Sequence, residues 1–138
     1  MILVTCPQLR QEWRIHASRF SKSWLVEMTS RERLFHLEET IHPAIRARIE
    51  HLVLDETIKT AMKKDVHLLE TAISTDFRVI SLERKCREWF IQYCCQIGEV
   101  AAIAWANPMR AHDNTTEWIA AGLPHEAWRQ LGQTALPL

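Results

Sequence analysis

Residues 64–83, KDVHLLETAISTDFRVISLE, restrict the fold more than any other stretch of the chain. Val66, Leu69, Ala72 and Ile73 recur at helical spacing and draw one apolar stripe. Asp65 stands just ahead of that stripe, where an acid favours a helix start. Ser74, Thr75 and Asp76 interrupt the pattern, and residues 77–82 read as a short buried strand with Glu83 at its carboxyl end. A helix that feeds a strand is half of a crossover unit, so parallel pairing is implied. In open sheets of that kind, ligands gather outside the carboxyl ends of the strands. Asp65 and Glu83 are therefore candidates to face one crevice. The plainer reading is that both acids only cap and solvate an ordinary helix and strand.

Upstream, Ile2, Leu3, Val4, Thr5 and Cys6 form a strand that begins almost at once. Pro7 suits the first turn of a helix, and Leu9, Trp13, Ala17, Phe20 and Trp24 continue it with one buried face. Glu12 lies beside that stripe. Between Val26 and Pro43 the charges Arg31, Glu32, Arg33, Glu38 and Glu39 alternate, as on a solvated helical face. Pro43 starts a helix that buries Ile45, Ile49, Leu52 and Val53, and Asp55 caps a short helix over residues 56–63. After Glu83, a helix carries Cys86, Trp89, Phe90 and Cys94 and ends at Gly98. Residues 100–105 read as a last strand. Asn114 or Thr115 then caps a short helix, and Pro124 starts another.

At 138 residues the chain is expected to form a single domain, 1–138, of α/β class. Seventeen basic and seventeen acidic residues cancel, so any nucleic-acid binding must come from a local patch. Arg10, Arg14, Lys22, Arg31 and Arg33 are candidates for a phosphate-tracking edge, and solvated helix faces explain them equally well. No apolar run is long enough to span a bilayer, and the amino terminus lacks a signal-peptide pattern. Cys6, Cys86, Cys94 and Cys95 have no framework spacing, which fits free thiols in a reducing cytoplasm. The seven histidines fall in no zinc pattern, no motif marks a cysteine nucleophile, and no glycine-rich phosphate loop is present.

The acid-led helix KDVHLLETA, the strand and acidic turn RVISLE, and Glu12 in ILVTCPQLRQEW resemble a PIN-like domain, the fold of many metal-dependent ribonucleases and toxin-type nucleases. The resemblance implies a three-layer sandwich with a short parallel sheet flanked by helices. It also implies a metal site at Glu12, Asp65 and Glu83 holding Mg²⁺ or Mn²⁺ for phosphodiester hydrolysis of RNA. Such ions take oxygen ligands, and Mg²⁺ needs only one or two carboxylates beside water and phosphate. Glu83 stands where the family more often shows Asp.

One departure matters: the family's first strand, which ends in an acid, has no counterpart, so the chain starts at what would be its second strand. Either the fold is shortened at its amino terminus, or it has lost both that strand and the activity. Two functions follow from the resemblance. One is a PIN-type endoribonuclease whose partners are RNA and a protein inhibitor or antitoxin. The other is a catalytically inactive PIN-like module for binding or assembly. To cover the missing strand, residues 2–5 are expected to pair with residues 78–82 or to lie in a homodimer interface.

Overall fold

The computed structural model describes residues 1–134. They form two compact units, Met1–Ile41 and a second that begins at His42. The chain is mixed α/β, and all four strands pair in parallel.

In the first unit, β1 (Leu3–Thr5) leads into α1 (Pro7–His16), whose N-cap Cys6 accepts a hydrogen bond from the Leu9 amide through Sγ at 3.4 Å. The single helix expected from Leu9 to Trp24 is corrected here, because the backbone turns extended at Ala17 and Ser18. Ser18 then caps α2 (Arg19–Ser30) by accepting from the Ser21 amide at 3.1 Å. A serine at this position competes with helix continuation by offering the next amides a side-chain acceptor. The break turns the stripe apart. Phe20 ends 78% exposed, whereas Trp13 and Trp24 stack with ring centroids 6.1 Å apart.

Residues 34–36, expected on a solvated helical face, form β2 (Leu34–His36) instead. Three residues between charges carry no readable alternation, so only tertiary pairing defines this strand. Its partner is β1, with Leu3 opposite Leu34, Val4 opposite Phe35 and Thr5 opposite His36. The strand at residues 2–5 therefore does not pair with residues 78–82, which corrects the inward shift expected above.

The second unit opens with α3 (Pro43–Glu50) and α4 (Glu56–Ile73). Asp55 caps α4, its carboxylate accepting from the Thr57 amide at 2.8 Å. The short helix at 56–63 and the helix expected to start at Asp65 are one 18-residue helix, since no residue at 63–65 breaks it. Asp65 is thus a mid-helix acid and not a helix start. Phe77, with φ at 59°, closes α4 by donating its amide to the Ala72 carbonyl at 2.8 Å. From there β3 (Arg78–Ile80) runs into α5 (Arg84–Tyr93).

Of the apolar run at 100–105, only the end is strand. Gly98–Ala102 is a 3-10 turn, and β4 (Ala104–Ala106) pairs with β3, Val79 lying opposite Trp105. After α6 (Thr115–Ala120), the helix expected at Pro124 is only a 3-10 turn, Ala127–Arg129. There the backbone bridges to the sheet instead, Gln130 against Ala104 and the Leu131 amide onto the Ile103 carbonyl at 2.9 Å.

Ile49, Met62, Leu69, Phe90, Ile97, Ile103 and Trp105 fill the core of this unit. Trp13 and Trp89 are half-buried, while Trp105 and Trp118 are the buried indoles. Fully buried Glu70 accepts both fork nitrogens of Arg46, at 2.9 and 2.7 Å, and the His42 amide. Arg129 is stacked between Trp118 and Trp128, at 4.5 and 4.1 Å from the ring centroids. No helix among the described residues is long and apolar enough to cross a membrane.

Candidate functional site

Strands β1 and β2 run in the same direction, so Thr5 and His36 end them side by side, with Thr5 Oγ1 and His36 Nδ1 2.7 Å apart. Beside these carboxyl ends lies a cavity of about 410 Å³. Arg10 and Arg14 reach it from α1 because they are one helical turn apart, and Lys22 reaches it from α2. Trp13, Leu9, Leu25 and Val26 give it an apolar wall. Among the described residues its lining holds two arginines, a lysine and a histidine, and no carboxylate.

Glu38 pairs with Arg10, both fork nitrogens donating at 3.2 Å, and this contact holds the Glu38 carboxyl below its usual range. Arg14 and Lys22 are exposed. Three of the five basic residues singled out in the sequence thus share one concave surface with an indole. Trp13 Nε1 is buried and has no hydrogen-bond partner among the described residues.

The chain matches no protein-family model, no curated protein and no solved structure. Function therefore has to be argued from the chain's own geometry.

The three acids are placed as follows. Glu12 belongs to the first unit, on α1, where it accepts a hydrogen bond from Gln8 at 3.4 Å. Asp65 and Glu83 belong to the second. Glu83 is the N-cap residue of α5, though its side chain makes no capping bond. Both acids act on one neighbour, the buried thiol of Cys86 one turn into α5. Burial pushes that thiol's pKa well up, and Asp65, which also hydrogen-bonds to it, and Glu83 push it further. Among the described residues, no three His, Cys, Asp or Glu side chains gather as a metal-holding group.

A second cavity, of about 420 Å³, lies past the carboxyl end of β4, against α5. Arg84, Arg87, Glu88 and Ile91 line it from one face of α5, and Asn107, Met109 and Arg110 from the loop after β4. Behind it, buried Asp113 accepts from Arg87 at 2.9 Å and from the Asn107 amide at 2.8 Å, with Arg110 3.6 Å away. Arg87 also donates to the Trp105 carbonyl at 3.2 Å. Burial draws the Arg87 pKa down, and Asp113 opposes that shift. None of these residues was singled out in the sequence. The only available signal was Arg84, Arg87 and Glu88 at one-face helical spacing beside Glu83.

Proposed function

We propose that the chain is an RNA-binding module, a PIN-like sandwich working without catalysis, that grips a single strand in the cavity at the carboxyl ends of β1 and β2. The observation that carries this reading is the lining: Arg10, Arg14 and Lys22 around Trp13, with no carboxylate in it among the described residues. A chain of zero net charge has no global field, so its attraction for phosphate depends on such a local group. Single-strand binding without sequence readout uses this combination: cations track the backbone, and an aromatic face takes a stacked base. Thr5 and His36 add hydroxyl and imidazole groups to the cavity's lining.

Fluorescence anisotropy of a labelled mixed-sequence RNA tests the proposal. Trp13→Leu is expected to weaken binding by about 1–3 kcal/mol, the worth of one base stacked on an aromatic ring. Equal affinity for wild type and Trp13→Leu would sink the stacking role.

A second reading, PIN-type cleavage of RNA, is favoured by one observation: Asp65 and Glu83 both act on Cys86. Two carboxylates fit the modest needs of Mg²⁺ or Mn²⁺, and Asp65 and Glu83 would hold the ion, with water filling the remaining positions. Bound there, the ion would supply Lewis acidity toward a phosphodiester. Half-buried Asp65 would anchor the ion, and exposed Glu83 would face solvent. Calorimetry should then show weak Mn²⁺ binding that Asp65→Asn abolishes. Identical traces for both proteins would remove this reading.

A further inference from the structure

The cavity against α5 belongs to neither reading, since its lining includes none of the residues that either one uses. Its lining is part polar and part apolar. Arg84, Arg87 and Arg110, with Asn107 and Thr134, are opposed in it only by Glu88 among the described residues. Ile91 and Met109, the latter 82% exposed, supply the apolar part.

The three arginines are held differently. Arg87 is 4% exposed and fixed from behind by Asp113 and the Trp105 carbonyl, and its Nε has no hydrogen-bond partner among the described residues. Asp113 in turn ties down the Asn107 amide, and its own carbonyl accepts from Arg129 Nη1 at 2.5 Å. Burying an ion pair this deeply costs desolvation that packing alone would not require. What the arrangement does provide is a guanidinium whose position cannot drift. Arg84 and Arg110 are exposed enough to swing onto a ligand, and their contacts to Glu88 at 3.7 Å and Asp113 at 3.6 Å are loose.

The α5 amino terminus adds to this. Arg84 is its first residue, and Glu83 leaves the first-turn amides without a side-chain cap. Free amides and the helix dipole favour an anion there. Three guanidiniums against Glu88 and Asp113 leave one positive charge, and the dipole raises the preference for a group of more than one negative charge.

We propose that this cavity is a binding site for a nucleoside monophosphate, its phosphate among Arg84, Arg87 and Arg110 and its base against Ile91 and Met109. The volume of about 420 Å³ is within the range of small-molecule sites. A free phosphate ion would use only the polar side chains of the lining, and an uncharged nucleoside leaves the arginines without an anion.

Isothermal calorimetry on the full chain tests this with three probes: adenosine monophosphate, inorganic phosphate and adenosine. The monophosphate is expected to bind at least about tenfold more tightly than either part alone, because it engages both the arginines and the apolar side chains. Arg84→Gln with Arg110→Gln should weaken it by about tenfold or more while inorganic phosphate also loses binding. These two side chains are exposed, so the fold is not at stake, and thermal unfolding of the double variant should match wild type. Arg19→Gln, at an exposed arginine outside both cavities, should leave monophosphate binding unchanged. The proposal is overturned if the monophosphate binds no better than adenosine, or if the Arg84→Gln, Arg110→Gln variant keeps wild-type affinity. Phosphate binding as tightly as the monophosphate would overturn the nucleoside part.

Discussion

Asp113→Leu is the perturbation that most sharply tests how the second unit is held together. Asp113 is fully buried, and its Oδ2 takes both the Arg87 guanidinium at 2.9 Å and the Asn107 amide at 2.8 Å. Leucine is larger than aspartate, so no cavity opens, and overpacking at this enclosed position adds to the electrostatic loss. Removing one partner of a buried pair strands the other charge, at about 3–5 kcal/mol. The stranded Asn107 N–H adds about 1–3 kcal/mol. The two share an acceptor and do not sum fully, so about 4–6 kcal/mol is expected.

With a urea slope of about 1.5 kcal/mol per molar, the unfolding midpoint should fall by about 3 M, followed by circular dichroism and tryptophan fluorescence. Taking away the stranded charge as well, in Asp113→Leu with Arg87→Leu, should restore about 1–3 kcal/mol of that loss. A single variant that loses less than about 1 kcal/mol, or a double variant less stable than the sum of the two singles, would refute the account of this network.

Other outcomes follow from burial and from the thiols. Trp105→Ala should cost about 3–5 kcal/mol, and Trp13→Ala only about 1–2, since Trp105 is fully enclosed and Trp13 is half-exposed; the reverse order would contradict the packing described. Among the four cysteines, only Cys95 is exposed, so one thiol should react fast with Ellman's reagent near neutral pH, and a fast-reacting Cys86 would be inconsistent with its burial. Because Cys86 holds its proton to higher pH in the folded chain than in the unfolded one, its contribution is complete below about pH 8.5 and is lost as pH rises beyond it. Cys86→Ala should therefore flatten the fall in melting temperature between about pH 8 and 10.

The sequence carried some of this and hid the rest for identifiable reasons. The stripe Val66, Leu69 and Ala72 correctly marked a helix feeding a strand; the expected parallel pairing is present, but it joins β3 to β4 across α5 and not across that helix. The partner strands were less legible. β2 is three residues long among charges and has no period to read, and β4, expected over residues 100–105, is only Ala104–Ala106 because the 3-10 turn of Gly98–Ala102 takes the first part of that run. The helix break at Ser18 was written in a capping residue, but an apolar stripe running through it read as continuous. Conversely, Asp65 looked like a helix start because it precedes apolar residues, although the helix had begun nine residues earlier behind the stronger cap of Asp55.

Site legibility divides the same way. Arg10, Arg14 and Lys22 were named in the sequence with Arg31 and Arg33 as one candidate edge, and the α1–α2 turn is what brings Lys22 to the other two. Asp113 gave no signal at all. A lone acid in a polar stretch looks solvated until Arg87, twenty-six positions away, is seen to close on it.

The central claim, that Arg10, Arg14 and Lys22 form a phosphate-tracking surface, is tested most directly by the salt dependence of single-stranded RNA affinity. Each phosphate neutralised on a single strand contributes about 0.7 to the slope of log affinity against log salt; with Arg10 paired to Glu38, Arg14 and Lys22 predict a slope near about −1.4. Arg14→Gln and Lys22→Gln should each weaken binding whatever the RNA sequence and make the slope shallower by about 0.7. Loss of affinity with an unchanged slope, or no RNA binding by the wild-type chain at low salt, would contradict the claim.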